Sequence, residues 1–174
     1  MPYEHQIIVM KISFTTASEA DAPAIATLRT SVAEHLTRQF GKGHWSSGVT
    51  EKSVLRGIKT SRVLVMRDNQ EIIGTLRLAT KKPWAIDLSY FKSVSRPLYL
   101  LDMAVSPDRQ RGGIGRWLIE EAKAVARAWP SEAIRLDAYD SDAGAGPFYA
   151  KCGFSEVGRK TYRGVPLVYF ELML

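Results

Sequence analysis

Arg109, Arg111, Gly112, Gly113, Gly115 and Arg116 crowd into one short stretch of this chain. Glycine lets backbone approach a ligand closely and takes positive φ without a Cβ penalty. Guanidinium groups around exposed amides suit a polyphosphate better than a single carboxylate. The chemistry indicated is binding of a ligand with several phosphates. Two carboxylates stand in unusual company, Asp102 within LYLLDMAV and Asp137 within IRLDA. A carboxylate in an apolar strand should be paired, protonated or turned to a cavity. Either residue is therefore a base acting through water, or the structural partner of an arginine or a backbone amide.

The elements that must position these groups lie within residues 98–128. An apolar run ending at Val105 has the length of a buried strand, and Ser106-Pro107-Asp108 breaks it. After the glycines, Leu118, Ile119, Ala122, Val125 and Ala126 recur at helical spacing, with Glu120, Glu121, Lys123 and Arg127 on other faces. The unit is strand, glycine-rich turn, helix. The first N–H groups of a helix lack internal partners and lie at its positive end, so the turn suits an anion. Spacing rules out two other phosphate loops. Arg116-Trp117 follows Gly115 where a P-loop needs Lys-Ser/Thr, and no glycine completes the dinucleotide fingerprint.

Gln110-Arg111-Gly112-Gly113-Ile114-Gly115 resembles the (Gln/Arg)-x-x-Gly-x-(Gly/Ala) signature of the GCN5-related N-acetyltransferases, the GNAT family. Farther on, Pro147-Phe148-Tyr149-Ala150-Lys151-Cys152-Gly153-Phe154 is similar to that family's Phe-Tyr-x-Lys-x-Gly-Phe segment. The resemblance covers roughly residues 62–170 and is strongest over 98–154. It implies an α/β chain with the acyl-CoA N-acyltransferase fold, a central, mostly antiparallel twisted sheet flanked by helices. It also implies acetyl-CoA as cosubstrate, its pyrophosphate held by the loop amides.

Further roles follow from the same resemblance. A bulge near Met103, Ala104 and Val105 would turn backbone N–H groups toward the thioester carbonyl. Tyr149 would protonate the coenzyme A thiolate, a phenol of reference pKa about 10 serving a thiol of about 8.5; the alternative is a tyrosine packed on its helix. The cofactor set is Met103, Ala104, Val105, Gln110, Arg111, Gly112, Gly113, Ile114, Gly115, Arg116, Asp142, Phe148, Tyr149 and Lys151, and the catalytic candidates are Tyr149 and Asp102. Asp142 departs from the family, which often has asparagine there; an ionised Asp accepts a hydrogen bond but cannot donate one. The reaction implied is acetyl transfer to an amine of a small-molecule acceptor. The alternatives are a protein or peptide amine, or a non-catalytic acyl-CoA sensor.

Composition bounds the rest. A length of 174 residues fits a single domain over 1–174, and 45% hydrophobic with 24% charged residues is ordinary for a soluble globular chain. No apolar run approaches the ~20 residues that span a bilayer, and the first residues lack a signal-peptide pattern, so the expectation is cytoplasmic with no membrane partner. Cys152 is the single cysteine, either a small buried residue or a reactive thiol. His5, His35 and His44 show no ligand spacing, so no metal is expected. The formal charge of +6 comes without a basic run or an aromatic-basic stripe, which argues against nucleic acid.

Along the chain, residues 7–15 read as a first strand. Ser18 and Asp21 then approximate a capping box for a helix through about Arg38, with Ile25, Leu28, Val32 and Leu36 on one face. The loop 40–48 carries His44 and Trp45, which either bind the acceptor or, respectively, are solvated and cap the core. Residues 50–59 form a short helix burying Val54, Leu55 and Ile58. Strands follow at 62–66 and 71–79 across a polar turn, with Gly74 marking a bulge or close packing. Residues 81–97 hold Trp84, Tyr90 and Phe91 around a helical turn at 86–91, serving a substrate pocket or a satellite core. A strand at 134–139, a short helix at 143–151 and strands at 156–159 and 165–173 complete the chain. The last is apolar enough to pair across a homodimer.

Overall fold

The computed structural model describes residues 11–174. Strand β1 (Ile12–Thr16) is followed by helices α1 (Ala22–Phe40) and α2 (Glu51–Thr60) and strands β2 (Arg62–Asp68), β3 (Glu71–Ala79) and β4 (Pro97–Val105). Helix α3 (Ile114–Ala128), β5 (Ala133–Tyr139), α4 (Gly146–Lys151), β6 (Ser155–Tyr162) and β7 (Val165–Met173) complete it. The strands form one seven-stranded sheet in the order β1-β2-β3-β4-β5-β7-β6. Every pairing is antiparallel except β4 with β5, which α3 joins as a parallel crossover. Residues 7–10 of the expected first strand lie outside the described residues.

Strand β2 shows how the sheet is buried on both faces. Leu64 and Met66 pack toward α3, whereas Val63 and Val65 pack with Ile25 and Leu28 of α1 and Val54 of α2. The strand runs two residues beyond its apolar stretch because both added charges find partners. Arg67 Nη2 donates to Asp21 Oδ1 at 2.7 Å, and Asp68, buried, meets Arg109 at 3.0 Å. The Asp21 carboxylate also accepts from the Ser18 N–H at 2.8 Å, which fixes the start of α1. In α2, Val54 is buried while Leu55 and Ile58 are half-buried, and Gly57 is the second buried residue.

Gly74 serves both roles suggested for it. The β2–β3 register slips beside it, and a Cβ there would sit 3.5 Å from Ile114 of α3. In the connection 81–97, Ile86 and Phe91 pack with Tyr99, Leu167 and Tyr169, a satellite core, while Trp84 is exposed. The buried Arg135–Glu171 pair, at 2.9 Å, lies beside it, the Arg135 guanidinium standing over the Phe91 ring.

Two expectations are corrected. Helix α4 starts at Gly146 rather than Ala143, because Gly144 N–H closes a turn onto the Ser141 carbonyl at 2.9 Å and Pro147 then fits the first helical turn. Strand β7 cannot pair across a dimer: β5 and β6 occupy both of its edges.

Candidate active site

Strands β4 and β5 pair only from Pro97↔Ala133 to Tyr99↔Arg135 and then part. On its other side β4 is bulged, since Thr75 faces Ala104 while Arg77 faces Leu101, and Asp102 takes a φ of 57°. Past Tyr99, the β4 backbone that faces β5 has no strand partner and opens onto a cleft of about 600 Å³. Leu101, Asp102, Met103 and Ala104 form its floor, Asp137 and Tyr139 one wall, Arg29 and Leu36 of α1 another, and Tyr149 its inner end.

The loop after α1 lines the cleft with His44, Trp45, Ser47 and Gly48. His44 stacks on Tyr139 with ring centroids 6.4 Å apart, and Trp45 meets the same ring edge-on at 5.9 Å. The Tyr139 hydroxyl donates to the His44 carbonyl at 3.2 Å. Both ring-bearing residues therefore line the cleft.

The glycine-rich turn lies next to this cleft. Gly113 takes a φ of 87° as N-cap of α3, and Arg111 is also left-handed at 63°. Trp117 N–H makes the first bond back into the turn, to the Gly113 carbonyl at 3.0 Å. The N–H groups of Gly112, Gly113, Ile114, Gly115 and Arg116 donate to no described residue. Gln110 folds back, donating from Nε2 to the Val105 carbonyl at 3.1 Å, so its side chain braces the turn. A Cβ on Gly115 would lie 3.1 Å from Phe148 and 3.7 Å from Met103, so turn, β4 and α4 converge there. Arg111 and Arg116 flank the turn, but Arg109, counted among its free cations from sequence, is spent on Asp68.

Asp142 and Lys151 stand apart. Both are exposed, and Asp142 lines a separate hollow with Asp140, Ser141 and Pro147. Cys152 is buried, and burial pushes its thiol pKa up against the pull of Lys123 and Arg116. Among the described residues no three His, Cys, Asp or Glu side chains cluster as metal ligands, and no helix is long and apolar enough to cross a membrane.

The titratable groups of the cleft differ sharply in setting. Burial, then the Asp137 carboxylate and Cys152, raise Tyr149 well above the ordinary phenol range, so its hydroxyl keeps its proton. That hydroxyl sits 3.7 Å from Met103 Sδ. Burial raises Asp137 too, only partly offset by its own backbone N–H. Asp102 is held at both oxygens, Arg29 Nη2 donating to Oδ1 at 2.8 Å and Arg77 Nε to Oδ2 at 2.9 Å. Of the alternatives open for Asp102, an arginine partnership is the one present.

Sequence reading missed Arg29, Arg77 and Tyr139 as parts of this site. A signal existed for Arg29, which falls on the same helical face as Ile25, Val32 and Leu36. A cation on an apolar face needs an anion beside it, and half-buried Asp102 is that anion.

The model of the Acetyltransferase (GNAT) family matches residues 29–154. The chloroplastic GCN5-related N-acetyltransferase 10 of Arabidopsis thaliana is 26% identical over 89 residues, which span 51% of this chain and 34% of that protein. The chain therefore matches about a third of that relative's length. Among solved structures, yncA of Salmonella typhimurium with its cofactor acetyl-CoA superposes with a TM-score of 0.68 at 17% identity, covering 93% of each chain. The ribosomal-protein-S18-alanine N-acetyltransferase of Escherichia coli gives 0.68 at 18% identity over 94% of both chains. The PaiA N-acetyltransferase of Thermoplasma acidophilum, in complex with coenzyme A, gives 0.69 at 16% identity, covering 92% of this chain and 98% of its own. These likenesses carry the fold, that of the acyl-CoA N-acyltransferases. With the family model matching most of the chain, its glycine-rich turn included, this protein is a member of the GNAT acetyltransferase family.

Proposed function

We propose that the chain transfers the acetyl group of acetyl-CoA to an amine of a small-molecule acceptor, acting as a single catalytic domain. One observation carries the reading. One cleft is lined by the unpaired backbone of bulged β4, by Tyr149 and by Asp137, and the uncommitted amides of the turn lie beside it, where Gly115 approaches Met103. Acetyl-CoA, when bound, supplies an activated thioester and a thiol leaving group.

The residues present fit such a group. Amides at the N-terminus of α3, with Arg111 and Arg116 beside them, receive the pyrophosphate. The Ser106 N–H bonds to Ile73 of β3, so by strand alternation the Met103 and Val105 N–H groups face away from β3, toward the gap where a thioester carbonyl gains negative charge, and donors fixed in advance stabilise that charge without reorganising. Asp137 takes the proton an ammonium must lose, through water, and its raised pKa makes it a stronger base than an exposed aspartate. Tyr149, protonated at neutral pH, donates toward the departing sulfur. Asp102, with both oxygens held by arginines, positions Arg29 rather than accepting a proton. The cleft volume, about 600 Å³, and its aromatic lining support a small acceptor.

Calorimetric titration with acetyl-CoA, followed by a thiol-release screen of small amines and of peptides, tests the proposal. The control is Gly112→Glu, whose Cβ meets only the Arg109 carbonyl at an ordinary 3.5 Å and so adds charge without a clash. Saturable binding lost in the folded control, with turnover of a small amine, is the expected result. Turnover confined to peptides would move the acceptor to proteins. Binding without turnover of any amine would support a sensor instead.

A further inference from the structure

The Arg29, Asp102 and Arg77 cluster has two cations and one anion at the edge of the cleft. Both guanidinium groups lean on the same carboxylate, at 2.8 Å and 2.9 Å, and all three side chains are largely covered, at 22%, 31% and 22% exposure. The local sum is one uncompensated positive charge. Burial and the neighbouring Arg77 both disfavour the cationic form of Arg29, with only Asp102 opposing them. Arg77 lies behind, its Nη1 turned to Ser61. Arg29 lies in front and lines the cleft.

Arg29 also has hydrogen-bonding capacity to spare. Its Nη2 serves Asp102, while Nε and Nη1 donate to no described residue. No buried side-chain nitrogen or oxygen among the described residues lacks a partner, so these two nitrogens reach solvent; of the two hollows that Arg29 lines, a small one of about 10 Å³ beside Arg77 and the cleft of about 600 Å³, only the cleft has room for a ligand. Across the cleft stands Asp137, without an ion-pair partner among the described residues. The two walls thus offer an unpaired carboxylate and an unsated guanidinium.

Building on the acetyl-transfer reading above, we propose that the acceptor is an amine that also carries a carboxylate, an amino-acid-like zwitterion whose anionic end docks on Arg29. A guanidinium receives a carboxylate through two parallel N–H donors, which fixes orientation as well as charge. The single residual charge matches a monoanionic carboxylate better than a dianionic phosphate. With the carboxylate on Arg29, the amine is left for Asp137 and the β4 backbone.

The test reads binding. The protein saturated with coenzyme A is titrated calorimetrically with N-acetyl derivatives of glycine, β-alanine, 4-aminobutyrate and 5-aminopentanoate, each beside its carboxamide. At least one carboxylate should bind about 10-fold or more tightly than its amide, the scale of a charged hydrogen bond. In Arg29→Gln that advantage should fall below about 2-fold, with coenzyme A affinity unchanged and a cooperative melt retained, though at a lower temperature because Asp102 loses one of its two arginines; Arg29→Lys should keep part of the advantage. Equal affinity within every pair, binding by no pair member, or an advantage that survives in Arg29→Gln would overturn the proposal. Coenzyme A affinity separates the two failures. A wild type that does not bind coenzyme A removes the acetyl-transfer reading and this inference with it, whereas intact cofactor binding without carboxylate preference removes this inference alone.

Discussion

The Tyr149 hydroxyl lies 3.7 Å from the Met103 sulfur, which sets the buried ring of α4 against the bulged end of β4. The ring packs on Phe148, Phe154 and Phe170 whether or not the oxygen is present. Tyr149→Phe should therefore cost about 1 kcal/mol or less in stability, since one weak hydrogen bond is lost. Acetyl-CoA affinity should hold while kcat falls by roughly 100-fold or more, the usual contribution of a positioned acid. Undiminished turnover in the variant would take Tyr149 out of the reaction.

Asp137 ties pH dependence to stability. Its folded-state pKa is raised above 3.8 by burial, so the folded chain holds this proton more tightly than the unfolded one. Between the two values, stability falls as pH rises, and the cost of a buried charge persists above them. Asp137→Asn should thus melt higher than wild type at pH 7, with the gain shrinking as the pH falls below the raised folded-state pKa and gone once it reaches the ordinary aspartate value of 3.8. The acid limb of the wild-type kcat/KM profile should have its midpoint above 3.8. In Asp137→Asn the activity should drop about 100-fold, as for loss of a general base, and that limb should disappear. If the limb survives, another group is the base.

What could be read from the sequence followed the range of the interactions. Strand β4, the turn and α3 were legible because one apolar run, three glycines and a helical stripe are local signals. The start of α1 was also legible, with Asp21 bonded to Ser18, whereas its end, expected at about Arg38, lies at Phe40, just before Gly41. What escaped was long-range pairing. Arg67 and Asp68 looked like a polar turn because their partners, Asp21 and Arg109, lie far away in the chain. Arg109 looked free for a phosphate for the same reason. Asp102 announced that it needed a partner, but no spacing rule chooses Arg29 and Arg77, which come from a helix and a neighbouring strand. The position of β7 between β5 and β6 is a fact of topology that an apolar strand at the end of the pattern does not reveal.

Cys152 should behave as core rather than as a nucleophile. It is buried in the main core beside Tyr149 and Phe154, and burial holds its thiol above the usual range, which depletes thiolate at neutral pH. A disulfide reagent should therefore modify the folded protein only at the rate of local or global opening, and should react promptly once denaturant is added. Modification of the native protein as fast as free cysteine would show an accessible thiolate. Cys152→Ser, which puts a hydroxyl in the same apolar setting, should melt lower than Cys152→Ala if the buried reading is right.

The geometry of the turn predicts a contrast between adjacent glycines. Gly113 has a φ of 87°, and a Cβ built there meets nothing within 4 Å, so space is no obstacle and the whole cost of a side chain is backbone strain. That strain is about 1–2 kcal/mol for a left-handed residue. Gly112 lies outside the left-handed region, and its Cβ would make an ordinary 3.5 Å contact with the Arg109 carbonyl. Gly113→Ala should lower the melting temperature and weaken acetyl-CoA binding, because relieving the strain rotates the peptide that aims the first α3 amides. Gly112→Ala should leave the melting temperature nearly unchanged. Melting curves and calorimetric titrations of the two variants, run side by side, separate strain from crowding. Equal losses in both would mean that the turn is not held by the left-handed residue at its N-cap, and the alignment of the amides toward a pyrophosphate would then need another cause.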